Sequence, residues 1–391
     1  MKRTGKILRG ILLGIILIIV SGIVGIYISG NGYIFNAVQK TILKGYSTAH
    51  IDDYVDFNNN VIKAGVPQPW ELHENYNQFK LTDSFSQELI DFQTIGFAII
   101  KDGKMLYEEY WDNYSNESKT NSFSMAKSVT TMLLGKAIEQ GYIKSIDQPM
   151  TDFIPEFLGD SLGRLATVGD LSSMRSGFDW TEEYYTPFNM TTEAYYGNNI
   201  EKQLFKRHFT SRPGGKFIYL SANTQLLATV LKRATGKDLA QYLSEEFWQP
   251  LGMENDALWS MSGGIEKTFC CIQSSVRNFA KFGQLLLQKG NWNGVQLLDS
   301  AFVKLMVTPC YDAFEPDEPK KYGHSIWIDK TYNPPFYGMV GHLGQYVLVV
   351  PDENLVIVRL GKSKNKEISS KGHLDSDTYL IVDEAIKMTV N

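Results

Sequence analysis

Ser124 and Lys127 form the spacing in this sequence that most directly suggests catalysis, in the run Ser124-Met125-Ala126-Lys127. Residues three apart on a helix share a face, with Cβ atoms about 5–6 Å apart, so the lysine amine can reach the serine hydroxyl. A serine hydroxyl is a weak nucleophile until a neighbouring base takes its proton. In the first helical turn it also lies among unpaired N–H groups that stabilise negative charge. The pattern predicts a serine nucleophile with a lysine base.

Tyr219 is the second candidate, because it follows the turn Pro213-Gly214-Gly215 and comes directly before a predicted helix. A phenol has a pKa near 10 and becomes a useful base only beside a cation such as Lys127. A single tyrosine among 21 more commonly packs in a core or on a surface. A catalytic role for Tyr219 therefore requires that the fold bring it to Lys127.

The third candidate is the segment Gly341-His342-Leu343-Gly344-Gln345, which precedes a predicted strand. Glycines at a strand start allow a ligand to approach the backbone closely. A backbone N–H group there could donate to the oxyanion of a reacting carbonyl. The alternative is that His342, one of six histidines, only caps the strand edge.

Each of these signals is weak alone. By composition, a chain of this length contains roughly one or two Ser-x-x-Lys matches by chance. The context favours Ser124, because a strand hairpin and a short polar loop precede it and a helix begins on it. The three candidates also occur in the order helix start, loop, late strand, which chance explains poorly.

The elements that must position these residues begin with a hairpin. Ile95–Ile100 and Met105–Tyr110 are strand patterns, and the turn 101–104 joins them. A helix with one buried face then begins near Ser124 and ends at Gly141.

Residues 146–297 have a mostly helical pattern, and strand patterns return near the C-terminus. The strongest helices are Gln225–Thr235, Leu239–Trp248 and Val276–Gln288. The late strands are Gly323–Ile328, Phe336–Met339, Tyr346–Val350 and Leu355–Leu360, and a helix closes the chain over Asp377–Met388. This order predicts the α/β (α+β) class, with one antiparallel sheet built from both ends of the chain and flanked by helices. A mainly helical second lobe (about 146–297) would leave a cleft between the lobes for the site.

The first thirty residues predict a transmembrane helix. Four basic residues precede an uncharged apolar run from Ile11 to Ile28, about 27 Å long as a helix and just enough to cross a bilayer. The basic flank stays in the cytoplasm, so the rest of the chain is expected on the extracytoplasmic side of the membrane, as a single-pass protein. The run is long for a signal peptide and no A-x-A site follows it, which favours an uncleaved anchor. We therefore divide the chain into an anchor or signal segment (1–30), a stem (31–75) and a globular domain (76–391) that carries the candidate residues.

Composition excludes several classes of protein. The hydrophobic fraction of 43% and the charged fraction of 21% exclude a disordered chain and a multi-spanning membrane protein. A net charge of −5 gives no indication of a nucleic-acid partner. The scattered histidines form no metal-binding motif and no nucleotide-binding motif occurs, so we expect no metal and no cofactor. Cys270, Cys271 and Cys310 are interpreted as buried small hydrophobic residues without a disulfide framework, since an adjacent pair rarely bridges to itself.

Taken together, four motifs resemble those of the class C β-lactamase, D-aminopeptidase and carboxylesterase superfamily, and more closely its 6-aminohexanoate-dimer hydrolase branch. The motifs are Ser122–Ser128, Asp170–Gly177, Tyr219-x-Ser221-x-Asn223-Thr224 and Gly341-His342-x-Gly344-Gln345. The resemblance covers roughly Gln93 to Leu360. It implies a β-lactamase/transpeptidase-like fold.

The resemblance also implies roles for matching residues. Ser124 would form an acyl-enzyme, and Lys127 with Tyr219 would move the proton to the leaving group and later activate water. The amides of Ser124 and Gln345 would form the oxyanion hole. His342 would line the site where many relatives have lysine. The remaining expected substrate-binding residues are Ser221, Asn223 and Gly344.

Two departures from the family pattern bear on the substrate. Penicillin-active members carry Lys-Thr-Gly at the third motif, whereas this chain has His342-Leu343-Gly344, and histidine is largely uncharged at neutral pH. They also read Tyr-x-Asn, whereas Ser221 stands in the last of these places here. Both changes argue against efficient β-lactam hydrolysis. They favour a small-molecule ester or a linear amide as the substrate.

An aromatic loop from Trp180 to Tyr185, continuing to Tyr195-Tyr196, could cover the cleft and bind an apolar acyl chain, or it could pack on its own lobe. Glu182 and Glu183 could receive a substrate amine, although a surface acidic pair is the more common arrangement.

Three functions remain in competition. The first is a serine hydrolase of amides or esters. The second is a penicillin-binding D-Ala-type peptidase, whose signature is acylation by penicillin. The third is a non-catalytic receptor of the same fold, and the presence of Ser124, Lys127 and Tyr219 argues against it.

Overall fold

The computed structural model describes residues 2–184, 186–310, 321–365, 372 and 374–390. The helices within these ranges are α1 Lys2–Ile28, α2 Tyr33–Lys40, α3 Asp83–Asp91, α4 Met125–Glu139, α5 Val168–Ser172, α6 Met190–Tyr196, α7 Ile200–Leu204, α8 Ser221–Thr235, α9 Leu239–Leu243, α10 Val276–Leu287, α11 Ser300–Met306 and α12 Ser376–Val390. The strands are β1 Asn59–Ile62, β2 Thr94–Lys101, β3 Lys104–Tyr110, β4 Thr120–Asn121, β5 Ala257–Ser262, β6 Ile265–Glu266, β7 Ile272–Ser274, β8 Asn291–Trp292, β9 Val295–Gln296, β10 Trp327–Asp329, β11 Phe336–Gly341, β12 Gln345–Val350 and β13 Leu355–Gly361.

The main sheet joins strands from the two ends of the chain region 94–361. Its six strands are antiparallel in the order β10-β11-β12-β13-β2-β3. Side chains of β2 alternate between two cores, with Ala98 and Ile100 on the side of α10 and Phe97 and Ile99 on the side of α12. Because both faces are covered, β2 reads as a continuous apolar run. The predicted sheet built from both chain ends is confirmed.

The hairpin between β2 and β3 turns at Asp102 and Gly103, which both have positive φ, 51° and 78°. Two such residues form the turn that matches strand twist, which explains why the hairpin could be predicted. The predicted strand Gly323–Ile328 instead begins only at Trp327. Residues before it form a tight turn against α4, where the Ser325 carbonyl accepts from Ser128 Oγ at 2.5 Å.

The second lobe contains more sheet than predicted. Within residues 146–297, β5, β6 and β7 form a small antiparallel sheet with β1 and β4, which lie outside that range. The hairpin β8–β9 lies there as well. The expectation of a mainly helical lobe missed this sheet because its pairings join segments that are far apart in sequence, such as Val61 with Leu258.

Helix α4 is the central element between the main sheet and the helices of the second lobe. Twelve of its 15 residues are buried and only Glu139, at the C-terminal end, is exposed, whereas one buried face was predicted. Its polar side chains are paired inside the protein; Thr131 Oγ1 donates to Ser325 Oγ at 2.8 Å and Thr130 Oγ1 to the Ala126 carbonyl at 2.9 Å. A helix surrounded in this way holds its first turn rigidly.

The N-terminal helix α1 is long and apolar enough to span a membrane over Gly5–Ile28, with a mean hydropathy of 2.9 and no part of that segment buried. Four residues after it, α2 packs against α6 through Tyr33, Ile34 and Ala37. The chain that follows α1 is therefore joined to the wall of the second lobe.

The cysteine interpretation needs correction. Cys270 and Cys271 are buried, as expected, but they are bonded to each other in a disulfide, with Cα atoms 3.7 Å apart. Cys271 has a positive φ of 77°, a backbone conformation that adjacent bonded cysteines accommodate and composition does not reveal. Cys310 remains a thiol.

Candidate active site

Ser124 lies at the N-terminal boundary of α4 and is aimed by the residues before it. Phe123 has a positive φ of 43°, and its N–H donates to Asn121 Oδ1 at 2.8 Å. Ser122 N–H donates to the Ile272 carbonyl at 2.8 Å. A non-glycine residue in this conformation costs about 1–3 kcal/mol and persists only where its surroundings hold it. The positive-φ backbone conformation of Phe123 therefore directs Ser124 into the pocket.

Lys127 lies one helical turn beyond Ser124 and is 1% exposed. Its Nζ atom donates to Ser124 Oγ at 2.9 Å and to the Phe269 carbonyl at 2.8 Å. Burial lowers the pKa of Lys127 to about 8, and the Glu182 carboxylate partly opposes that shift. An amine with this pKa is neutral often enough near neutral pH to accept a proton.

Tyr219 reaches the same hydroxyl from the other lobe. Burial raises the pKa of Tyr219, and the interaction of its phenol with Ser124 partly opposes that shift. The Lys127 Nζ atom lies 4.9 Å from the centre of its ring. Trp327 and Tyr322 pack around that ring at centroid distances of 5.5 and 5.9 Å. The phenol is therefore fixed in place and stays protonated at neutral pH.

The segment 341–345 packs against the residues that precede Ser124 in the sequence. A Cβ atom on Gly341 would lie 2.5 Å from the Ser122 carbonyl oxygen, so only glycine allows this approach. Gln345 is buried, and its Nε2 donates to the carbonyls of His342 at 3.0 Å and Gly361 at 2.7 Å. These bonds fix the backbone beside Ser124.

His342 contributes one side of a pocket that opens onto Ser124. Its ring meets the edge of Phe123 at 5.4 Å and stacks on Tyr184 at 5.5 Å. Mostly apolar side chains and one carboxylate line the rest of the pocket: Thr48, Ala49, Glu183, Thr191, Thr192, Tyr195, Tyr196, Ser221, Phe269 and Cys270.

This chain matches the model of the protein family described as Beta-lactamase over residues 82–374. The chain belongs to that family. It is a serine hydrolase. A 6-aminohexanoate-dimer hydrolase from Paenarthrobacter ureafaciens is 24% identical over 77% of this chain and 80% of the relative. A teichoic acid D-alanine hydrolase from Staphylococcus aureus is 22% identical over 80% of this chain and 82% of the relative. A proposed 6-aminohexanoate-dimer hydrolase from Bacillus anthracis has a similar fold, with a TM-score of 0.68 at 21% identity over 87% of this chain and 92% of that structure.

The structure of this beta-lactamase family member brings most of the predicted site residues together. Ser124, Ser221 and His342 line one pocket, and Lys127 and Tyr219 both contact the Ser124 hydroxyl. The aromatic loop contributes Tyr184 to the pocket wall, whereas Tyr185 lies outside the described residues.

Two other predicted residues point elsewhere. Asn223 is fully buried, and its Oδ1 accepts from Ser176 Oγ inside the second lobe. The Gly344 carbonyl accepts from Arg359 Nη1 at 2.9 Å. Both hold the framework of the site and are not part of the pocket wall.

Glu182 corrects the expectation of an acidic surface pair. It is half-buried and accepts from Ser221 N–H at 2.8 Å and from Ser221 Oγ at 2.6 Å, and Tyr184 Oη also donates to it at 2.6 Å. Its neighbour Glu183 is exposed. Glu182 thus places a carboxylate at the start of α8, beside the candidate bases.

A buried polar cluster that sequence reasoning missed links the segment 31–75 to the residues that precede Ser124. Asp53 is 1% exposed and accepts from Tyr195 Oη at 2.7 Å and Asn121 Nδ2 at 3.3 Å. Lys267, fully buried, donates to the Tyr195 carbonyl at 2.6 Å and lies 3.6 Å from the centre of the Phe57 ring. Burial raises the pKa of Asp53 and lowers that of Lys267. The only available sequence signal was an aspartate pair, Asp52-Asp53, in an otherwise uninformative stem.

Proposed function

We propose that this chain hydrolyses esters or linear amides through an acyl-enzyme on Ser124. The observation that carries the proposal is that Lys127 Nζ and the Tyr219 phenol both contact the Ser124 hydroxyl at the base of one pocket. A nucleophile within reach of a base that is itself held by further bonds is the arrangement that acyl transfer requires.

In the acylation step, Ser124 Oγ attacks the substrate carbonyl while its proton moves to Lys127 Nζ. The bond from the carbonyl carbon to the leaving oxygen or nitrogen breaks, and the Tyr219 phenol gives its proton to that atom. Lys127 then returns a proton to the Tyr219 phenolate. In deacylation, water attacks the acyl carbon and gives a proton to Lys127 Nζ, the bond between the acyl carbon and Ser124 Oγ breaks, and that proton passes to Ser124 Oγ as the acid leaves.

The proposed oxyanion hole consists of the backbone N–H groups of Ser124 and Gln345. Ser124 lies at the start of α4, where N–H groups lack helical partners and the helix dipole favours negative charge. Gln345 stands opposite Gly341, whose close approach to Ser122 brings the two strands of the site together. Donors fixed in this way stabilise a developing oxyanion without rearrangement.

The charges around the pocket favour a neutral or cationic substrate. The site has His342 in the place of a lysine, and the Glu182 carboxylate lies at the start of α8 close enough to act on the pKa of Lys127. A substrate carboxylate would meet repulsion from Glu182. Apolar walls around Ser124 suit an acyl chain.

We further propose that α1 is an uncleaved anchor and that the hydrolase domain lies on the extracytoplasmic side of the membrane. Its length and hydropathy support a spanning segment. Tyr27, at its end, stacks on Phe35 of α2 at 5.0 Å, so the anchor is continuous with the folded domain.

Substrate profiling tests the proposed function. The full chain and Ser124→Ala would be compared on short p-nitrophenyl esters, the linear dimer of 6-aminohexanoate, and nitrocefin. We expect Ser124-dependent hydrolysis of the ester or the amide and little turnover of nitrocefin. Stable acylation by penicillin without ester or amide turnover would instead support the D-Ala-type peptidase.

A further inference from the structure

One wall of the active-site pocket comes from the chain segment that directly follows the membrane anchor. Thr48 and Ala49 line the pocket together with Thr191, Thr192 and Tyr195 of α6. The pocket is therefore shaped in part by residues that the family match, which begins at residue 82, does not include. This part of the wall therefore lies outside the matched range.

The same wall is held close to the end of the anchor. Helix α2 packs on α6, and Asn36 Nδ2 donates to the Tyr196 carbonyl at 3.0 Å. Burial raises the pKa of Tyr33, the first residue of α2, and the nearby Glu193 carboxylate of α6 adds to that shift. Only five peptide steps separate Tyr33 from Ile28, which span at most about 18 Å. The pocket wall consequently lies within a short distance of the membrane surface.

The surface around this helix pair has the composition of a membrane-contacting face. Ile42 and Leu43, just after α2, are 64% and 75% exposed, and Phe188, just before α6, is 62% exposed. A crevice at the base of the anchor is lined by Tyr27, by the exposed Lys202 and Lys206 and by the half-buried Glu193, so its exposed charges are basic. Aromatic, apolar and basic side chains together suit the interface of an anionic lipid leaflet.

We propose that the pocket opens at the lipid surface and that its substrate is an ester or amide carried by a membrane-resident amphiphile. This inference rests on the proposed function and names the substrate class of that site. The apolar chain of the amphiphile would pass from the leaflet along Ala49 and α6 toward Ser124. Its carbonyl would then undergo the acylation and hydrolysis already described, with water as the only co-substrate. The tether of α1 fixes the distance between the pocket and the leaflet.

The test uses the full chain reconstituted in vesicles of equal parts phosphatidylglycerol and phosphatidylethanolamine. Two substrates share one leaving group: 4-methylumbelliferyl acetate, which is free in water, and 4-methylumbelliferyl oleate, which partitions into the vesicles. Leu43→Glu places a charge on the proposed lipid face and touches no residue of the catalytic site. Val295→Glu in the β8–β9 hairpin, also an exposed apolar position at 59%, is the matched control.

We expect Leu43→Glu to lower oleate hydrolysis roughly five- to tenfold, which corresponds to the loss of part of one buried leucine's contribution, and to leave acetate hydrolysis within about twofold. Val295→Glu should leave both rates within about twofold of the parent. Unchanged oleate hydrolysis in Leu43→Glu would overturn the inference. Ile42→Gln is an uncharged substitution at the neighbouring position. If both Leu43→Glu and Ile42→Gln lower the hydrolysis rates of acetate and oleate to the same degree, the inference is overturned as well. If the parent hydrolyses neither ester, the inference fails; the proposed function fails with it only if the short p-nitrophenyl esters and the linear amide are not hydrolysed either, so the two failures are distinguishable.

Discussion

The Nζ atom of Lys127 lies 2.9 Å from Ser124 Oγ, and the Phe269 carbonyl takes a second bond from the same ammonium group. The lysine is almost completely enclosed, and burial lowers its pKa to about 8. A base must be unprotonated to take the Ser124 proton, so acylation should be slow below this pKa and rise as the pH approaches and passes it. A kcat/KM profile on a short ester should show an acid limb with an apparent pKa near 8. A flat profile between about pH 6 and 9 would contradict the role of Lys127.

Glu182→Gln should move that limb to lower pH. The Glu182 carboxylate stabilises the charged form of Lys127, so removing its charge lowers the pKa of the lysine further. The control is Glu183→Gln, since this neighbouring pocket carboxylate is exposed and is not among the groups that shift the pKa of Lys127. The measurement is the kcat/KM pH profile on the same short ester for the parent chain and both variants. A shift of the acid limb to higher pH, or an equal shift in both variants, would show that the Glu182 carboxylate does not raise the pKa of Lys127.

Tyr219→Phe should lower kcat by about 10²- to 10⁴-fold, because the leaving group loses its proton donor. The fold should be retained, since the phenyl ring can still pack between Trp327 and Tyr322. KM should change far less than kcat. Tyr322→Phe removes a hydroxyl from the adjacent ring that does not touch Ser124 and serves as the matched control. If both variants lose activity to the same degree, Tyr219 has only a packing role.

Asp53→Ala should destabilise the protein by about 3 kcal/mol, because it removes the buried acceptor of the Tyr195 hydroxyl and the Asn121 amide and the nearby negative charge that favours the charged form of Lys267. Asp52→Ala, which removes only the half-buried bond from Tyr114 Oη at 2.6 Å, should cost about 1 kcal/mol. Urea unfolding of the two variants in the same detergent measures the difference. Equal losses would show that the buried cluster does not hold the stem to the domain.

Local sequence signals predicted the parts of this protein that depend on residues close together in the chain. The Asp102-Gly103 turn defined the β2–β3 hairpin, and the three-residue spacing brought Lys127 to Ser124. These features follow from helix and turn geometry alone.

The remaining parts of the site depend on partners that no local pattern connects. The Phe269 carbonyl that holds Lys127 is 142 positions away, and Glu182 is 39 positions from Ser221. The small sheet of the second lobe and the Asp53 cluster are likewise formed by contacts between distant segments. The Cys270–Cys271 disulfide was discounted because such pairs are rare, and its formation depends on a backbone conformation that the sequence does not show.

The most direct test of the central claim is labelling of Ser124 by a fluorophosphonate. The full chain and Ser124→Ala would be incubated with the reagent in detergent, and each protein would be measured by intact mass. We predict one adduct on the parent chain and none on Ser124→Ala, with faster labelling above pH 8 than below it because Lys127 is then neutral. The absence of an adduct on the parent, or an equal adduct on Ser124→Ala, would contradict the assignment of Ser124 as the activated nucleophile.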